Sequence, residues 1–197
     1  MKTFLILTIL TTILTHSSMA QKLKPQDKAP SFEIKSVQGE LINLQKYKGR
    51  TVLLAFFRFA GCPVCNFRMH ELVKNYPALK AQNVEVIAIF ESKNETLFQY
   101  IDDAKIPFPV IGNPDLTLYK LYGTSKSMLK MMRTMFRKKP KQEMKSGEKL
   151  YNGKKYKQDG SMTRIPADFL IDQNGNVKIA HYGRFIGDHI PIQDLMK

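Results

Sequence analysis

Cys62-Pro63-Val64-Cys65 carries the only two cysteines of a 197-residue chain. An apolar, β-branched and aromatic run, Thr51 to Phe57, leads through Ala60-Gly61 to the first cysteine, and a helical pattern follows at once. Cys62 therefore falls where a buried strand hands over to a helix N-terminus. Unpaired backbone N–H groups and the positive end of the helix dipole favour an anion there, which lowers a thiol's pKa and populates the thiolate. Cys62 is the expected nucleophile. Cys65 lies on the same helix face, its Cβ roughly 5–6 Å away, so the two can close a disulfide within one turn. Close spacing without further cysteines points to redox chemistry rather than to stapling. A zinc site would need two more ligands from His70, His181 or His189, since there is no second C-x-x-C. No cofactor is called for beyond a redox-active Cys62–Cys65 disulfide, and no metal is expected.

The elements that would hold this pair follow in order. Ala29 to Gly49 reads as a hairpin: Phe32 and Ile34 alternate with polar residues, Gly39 marks the turn, and Leu41 to Leu44 return. The helix from Cys62 is expected to run to about Tyr76, where Pro77 limits it. Val84 to Phe90 reads as a buried, parallel strand. Ser92-Lys-Asn-Glu95 is a capping-box pattern opening a helix with Leu97, Phe98 and Ile101 inward. Ile106 to Ile111 is extended, and Asn113 to Leu116 opens another helical turn. Pro166 to Asp172 is a strand, Asn174-Gly-Asn176 a hairpin turn, and Val177 to Tyr182 the antiparallel return. A short helix from about Asp188 closes the chain. Strands alternating with helices and ending in a hairpin imply an α/β fold with a mixed sheet in three layers.

The first twenty residues have the features of an export signal. Lys2 is a positive start, Thr3 to Leu14 an apolar stretch, and Ser18-Met-Ala20 a cleavage site. About a dozen apolar-rich residues are too few to span a bilayer, which needs roughly 20. The expectation is a signal peptide over 1–20, one domain over 21–197, and export to a periplasm or cell envelope. A hydrophobic fraction of 43% supports a sizeable core in that domain.

The net charge is +14, and its distribution is uneven. Thr124 to Arg164 holds ten lysines and three arginines against Glu143, Glu148 and Asp159. Within it, Ser125 to Lys139 reads as an amphipathic helix with Met128, Met131, Met132, Met135 and Phe136 on one face. Lys126, Lys130, Arg133 and Arg137 stripe the other. Lys138-Lys-Pro-Lys141 is expected to break it, leaving a loop or short ribbon to Gly160. The methionine face would pack on the body, dock on an anionic membrane surface, or receive a partner protein through segment 125–141. Nucleic acid is not a suitable partner for an exported chain without a binding motif.

Five pieces together resemble the thioredoxin-like superfamily, in the branch holding the AhpC/TSA peroxiredoxins and the TlpA/ResA-type thiol–disulfide oxidoreductases. They are Ala29-Pro-Ser-Phe32, the Gly39 hairpin with Leu44 and Gly49, the strand ending in Cys62-Pro-Val-Cys65, Ile165-Pro166, and Phe169-Leu-Ile-Asp172-Gln-Asn-Gly175. The resemblance spans Ala29 to Tyr182, interrupted by the basic insertion at about 124–164. It implies a thioredoxin-like fold with an N-terminal hairpin extension, and a cis proline at Ile165-Pro166 facing the cysteines and pairing with bound substrate. It also implies thiol–disulfide exchange with a protein or small-molecule client, the pair being restored by an electron donor, or peroxide reduction. The AhpC/TSA peroxidases carry Pro-x-x-x-Thr/Ser-x-x-Cys, and this chain departs from it: counting back from Cys62 puts Phe59 at the hydroxyl place and Ala55 at the proline place. That departure favours disulfide chemistry. Phe56 stands where thioredoxin keeps a buried acid. Two further side chains are candidates for support: Arg58, four residues before the nucleophile, and Asp168, two after Pro166 on the same strand face, where it could take the proton of Cys65. Their alternatives are an arginine with its head in water and a strand-end aspartate. A non-enzymatic copper carrier using both thiolates and a methionine is the reading from another functional class.

Overall fold

The computed structural model describes residues 22–150 and 154–197. The expected signal peptide lies outside the described residues. Among the described residues, seven strands and five α-helices follow in the order β1 Glu33–Lys35, β2 Leu41–Asn43, β3 Thr51–Phe56, α1 Pro63–Ala81, β4 Val84–Phe90, α2 Asn94–Ala104, β5 Val110–Gly112, α3 Thr117–Leu121, α4 Met128–Met135, α5 Lys138–Glu148, β6 Ala167–Ile171 and β7 Val177–Tyr182.

β1 and β2 form the separate N-terminal hairpin, and the other strands make one sheet in the order β5-β4-β3-β6-β7. β3, β4 and β5 run parallel, while β6 and β7 are antiparallel to their neighbours. β3 and β4 are buried on both faces, which explains their unbroken apolar runs. Alternate side chains sort into two cores. Leu53, Ala55, Phe57, Val86 and Phe90 meet α1 and α2. Val52, Leu54, Phe56, Ile87 and Ile89 meet α3 and the N-terminal hairpin. The Phe56 ring stands edge-on to Tyr119 and Phe169. Tyr119 Oη reaches the carbonyls of Phe57 at 2.7 Å and Ile89 at 3.0 Å, satisfying backbone where β3 and β4 end. This is the thioredoxin-like mixed α/β architecture, and the end of β3 leads into the turn that carries the two cysteines.

Several elements differ from the sequence-based expectation. α1 passes through Pro77 to Ala81. Pro77 is exposed, so the Val73 carbonyl it leaves unpaired can be met by water, while Tyr76 and Leu79 on either side are buried and hold the helix down. The capping box does not form: Lys93 is the N-cap of α2 and makes no side-chain cap. Asp159, far away in the insertion, accepts from the Lys93 N–H, Thr96 Oγ1 and Ser92 Oγ instead. Phe98 points outward, and Tyr100 takes the inner position beside Leu97. A 3-10 turn, Ile192–Met196, replaces the last helix. The Ile190 N–H is already donated to Asp168 and the Asp188 carbonyl is bonded to His181, so the backbone ahead of Pro191 is committed to the sheet.

The insertion is two helices rather than one. α4 ends at Met135, and Lys138-Lys-Pro-Lys141 opens α5 instead of breaking a helix, with Pro140 in the first turn, where its missing N–H costs nothing. α5 crosses the start of α1 so closely that a Cβ at Gly147 would collide with the Pro63 carbonyl. Only glycine permits that approach.

Candidate active site

β3 delivers Phe57, Arg58 and Phe59 to the C-terminal edge of the sheet, and the chain turns there into α1. Cys62 is the N-cap, with extended backbone, and Pro63 fills the first helical position. Its Sγ accepts from the Cys65 N–H at 3.4 Å and lies 3.4 Å from Arg58 Nη1. Both cysteines are free thiols and buried, Cys62 being 1% exposed.

Burial by itself would push the Cys62 thiol up. The hydrogen bond from the Cys65 thiol, the Arg58 charge, the Cys65 backbone N–H and a hydrogen bond from Arg58 outweigh it and bring the pKa from 9.0 down to about 6. Cys65 moves the other way: burial, its hydrogen bond to Cys62 and the charge on Cys62 all hold its proton. The pair is therefore differentiated at neutral pH into a thiolate and a thiol. Helix position favours Cys62, whose sulfur accepts the Cys65 N–H and lies against Arg58 Nη1; Arg58 also draws on Cys65, through its charge and its backbone, but there burial and Cys62 prevail.

Arg58 does not hold its head in water. It is buried, its Nη2 donates to the Met162 carbonyl at 2.6 Å, and its Nε has no partner among the described residues. The limb of the insertion that returns to β6 covers this corner. A Cβ on Gly61 would come 2.6 Å from the Tyr156 carbonyl. Three carboxylates tie the limb down: Asp103 to Lys154 and Tyr156, Asp159 to the start of α2, and Glu91 to the Ser161 N–H and Arg164 Nε, each at 2.5 Å. Sequence reasoning missed Glu91, Arg164, Asp159 and Met162. The one local signal was that Glu91-Ser92 closes β4 beside the strand that ends in the cysteines.

Ile165-Pro166 enters β6 with both residues buried, and no peptide bond among the described residues is cis. The expected cis proline is thus a trans one. Ile165 N–H donates to the Ser125 carbonyl at 3.3 Å and Arg164 pairs with Lys126, so the insertion sets the path of the chain into the strand. Trans is also the intrinsic preference of an X–Pro bond.

Asp168 is neither a strand-end aspartate nor paired with Cys65 by any hydrogen bond. It is fully buried, accepts from the Ile190 N–H at 2.8 Å, lies 2.9 Å from His189 Nδ1 and 3.9 Å from Arg68 Nη2. Burial opposes its ionisation, but His189, Arg68 and the Ile190 N–H overcome that and hold the carboxyl below its usual range. His189, which had no motif around it, is the partner the sequence did not reveal. His70 is exposed, and His181 bonds the Asp188 carbonyl. Among the described residues no three His, Cys, Asp or Glu side chains converge as a metal site.

A model of the AhpC/TSA family matches residues 25–180. Peroxiredoxin Bcp of Escherichia coli K12 is 29% identical over 156 residues, covering 79% of this chain and 83% of its own. The thiol–disulfide oxidoreductase ResA of Halalkalibacterium halodurans is 31% identical over 98 residues, covering 49% and 55%. Among solved structures, a putative thiol:disulfide interchange protein DsbE from Chlorobium tepidum superposes with a TM-score of 0.58 at 22% identity, covering 88% and 92%.

Proposed function

For this chain, which belongs to the AhpC/TSA family of oxidoreductases, we propose thiol–disulfide exchange by Cys62 and Cys65 with a protein or small-molecule client. The observation that carries this reading is Cys65 standing one turn along the same helix from Cys62, its N–H donating to the Cys62 sulfur at 3.4 Å. Any adduct on Cys62 then has its resolving thiol already against it. The Cys62 thiolate attacks one sulfur of the client disulfide, and the other sulfur leaves as a thiolate and takes a proton from solvent. Cys65 loses its proton and attacks Cys62, which breaks the mixed disulfide, releases the second client thiol and leaves Cys62–Cys65 oxidised. A dithiol donor returns the two electrons. Asp168 is committed to His189 and Ile190, so the base for Cys65 in this reading is water or the departing thiolate.

A second reading is peroxide reduction, favoured by the Arg58 guanidinium against a Cys62 sulfur that is 1% exposed, which a small peroxide reaches with less rearrangement than a protein disulfide does. Cys62 would attack the outer peroxide oxygen, the O–O bond would break with release of alcohol or water, and Cys65 would displace water from the sulfenic acid. Phe59, buried where the peroxidases of the family place a hydroxyl, weighs against it. Export rests on the first twenty residues alone, and N-terminal sequencing of the recovered protein tests it: a start near Gln21 is expected.

The functional test is a pair of rates, oxidation of the reduced protein by a small disulfide and by hydrogen peroxide, in wild type and in Cys62→Ser. Rapid disulfide exchange that vanishes with Cys62, beside peroxide oxidation no faster than that of a free thiol, is expected. The opposite ranking would replace exchange by the peroxidase reading.

A further inference from the structure

α4 is turned inside out. The residues it presents to the body are Ser127, Lys130, Met131 and Thr134, all half-buried. They hold it by polar contacts: Ser127 N–H to the Thr163 carbonyl at 2.9 Å, Lys130 Nζ to the Gly183 carbonyl at 2.8 Å, and Thr134 Oγ1 accepting from the Ile186 N–H at 3.0 Å. The opposite stripe is Met128, Leu129, Met132, Met135 and Phe136, spaced i, i+1, i+4, i+7, i+8, and every one is exposed, Phe136 to 85%. No residue of this helix is buried. Rotating the helix to bury the stripe would break all three polar tethers.

Charge indicates what the stripe meets. From Ser125 to Lys141 there are seven lysines and arginines and no carboxylate. Lys126, Arg133, Lys138, Lys139 and Lys141 are exposed, while Arg137 lies over the Phe185 ring at 4.3 Å. The stripe gathers five large apolar side chains on one helix, whereas the other exposed ones among the described residues, Leu41, Phe98, Leu121, Met144 and Met162, are scattered singly over separate elements. A protein partner would need a matching groove of acidic rim. A lipid surface asks only for protruding flexible apolar chains and a surplus of cations that lie flat together. We propose that α4 docks this protein on an anionic membrane surface, its Met/Leu/Phe stripe entering the headgroup boundary and its basic flanks meeting lipid phosphates. The docking face is joined to the redox site through the chain: α4 is tethered at Thr163, next to the Met162 carbonyl that holds Arg58.

The test is sedimentation of the chain from Gln21, which contains every element of the described fold, with vesicles of phosphatidylglycerol and phosphatidylcholine or of phosphatidylcholine alone. Binding to the anionic vesicles at low salt is expected, at least about tenfold weaker on neutral ones and falling as salt rises. Met132→Ser/Met135→Ser/Phe136→Ser should weaken it by about tenfold or more, and Phe136→Ser alone by a smaller factor. Phe136 has the most exposed side chain of the stripe, so the single variant keeps the measurement interpretable if the triple variant fails to fold. Disulfide exchange with a small substrate should be unchanged in both, whichever redox reading holds. No sedimentation at low salt overturns the proposal, and so does equal binding by the stripe variants, which would mean charge alone. Concentration-dependent self-association that the stripe variants abolish, without lipid binding, overturns it in favour of a second copy of the chain.

Discussion

Two arginines are buried at the N-terminal end of α1, one just ahead of the helix and one on it, and each stands against an anion, yet the two clusters do opposite things. Arg58 meets the Cys62 sulfur at the helix N-terminus. Arg68, two turns further along, donates to the Ile190 carbonyl at 2.7 Å and stands 3.9 Å from Asp168. Both leave Nε without a partner among the described residues. The difference lies in the anion and its other partners. Asp168 is enclosed by an imidazole, a backbone N–H and a guanidinium, so its charge is fixed and it clamps the C-terminal segment to β6. The Cys62 thiolate shares its charge with one guanidinium, one helix N–H and one thiol whose proton can be given up. A buried ion pair becomes reactive when its anion is polarisable and its neighbour can itself become a nucleophile. When every lone pair is occupied, it is structural.

The largest expected effect tests the structural half. Asp168→Ala strands His189 and Arg68 in the core and should cost about 3–5 kcal/mol, read from denaturant unfolding. The pH dependence of Cys62 alkylation in the surviving folded protein should not move. A shift would mean the two clusters are coupled and the contrast fails.

Arg58→Met tests the reactive half. It should raise the Cys62 pKa by roughly 1–2 units, displacing upward the midpoint of alkylation rate against pH, which is expected at about 6 in the wild type. Stability should change far less than for Asp168→Ala. An unmoved midpoint would assign the thiolate to the helix N-terminus and Cys65 alone.

A smaller effect sharpens the comparison at a third acid, Glu143 of α5. Burial raises its pKa from 4.5 to about 7, opposed by Lys139 and reinforced by Glu71. Its folded value lies above its unfolded one, so its stabilisation is complete below about 4.5 and is lost as pH rises through about 7. Glu143→Gln should flatten that part of the stability profile, measured by thermal unfolding across pH, and leave Cys62 alkylation unaltered.

The core of the fold was legible because its signals are local. β3 and β4 are continuous apolar runs, Gly39 and Gly175 adopt positive φ in the turns their neighbours announce, and Cys62-Pro63 reads directly as an N-cap followed by a first-turn proline. The surroundings of the cysteines were less so. The side of Arg58 was ambiguous because a long side chain can either snorkel or fold inward, and the Met162 carbonyl that draws it in lies 104 residues away. The capping pattern at Ser92 misled because Asp159, a stronger acceptor 66 residues from Lys93, took the helix start.

By itself, the sequence determined that the two cysteines stand one turn apart where a strand gives way to a helix, the order of strands and helices, and the amphipathic character of the basic segment, since each depends on spacings of a few residues. Only the tertiary structure decided that Asp168 meets His189, that Pro166 is trans, that α5 packs over Pro63 and that α4 faces its apolar stripe outward. Those outcomes depend on which distant groups compete for the same hydrogen bonds and the same buried volume, and no local pattern encodes the competition.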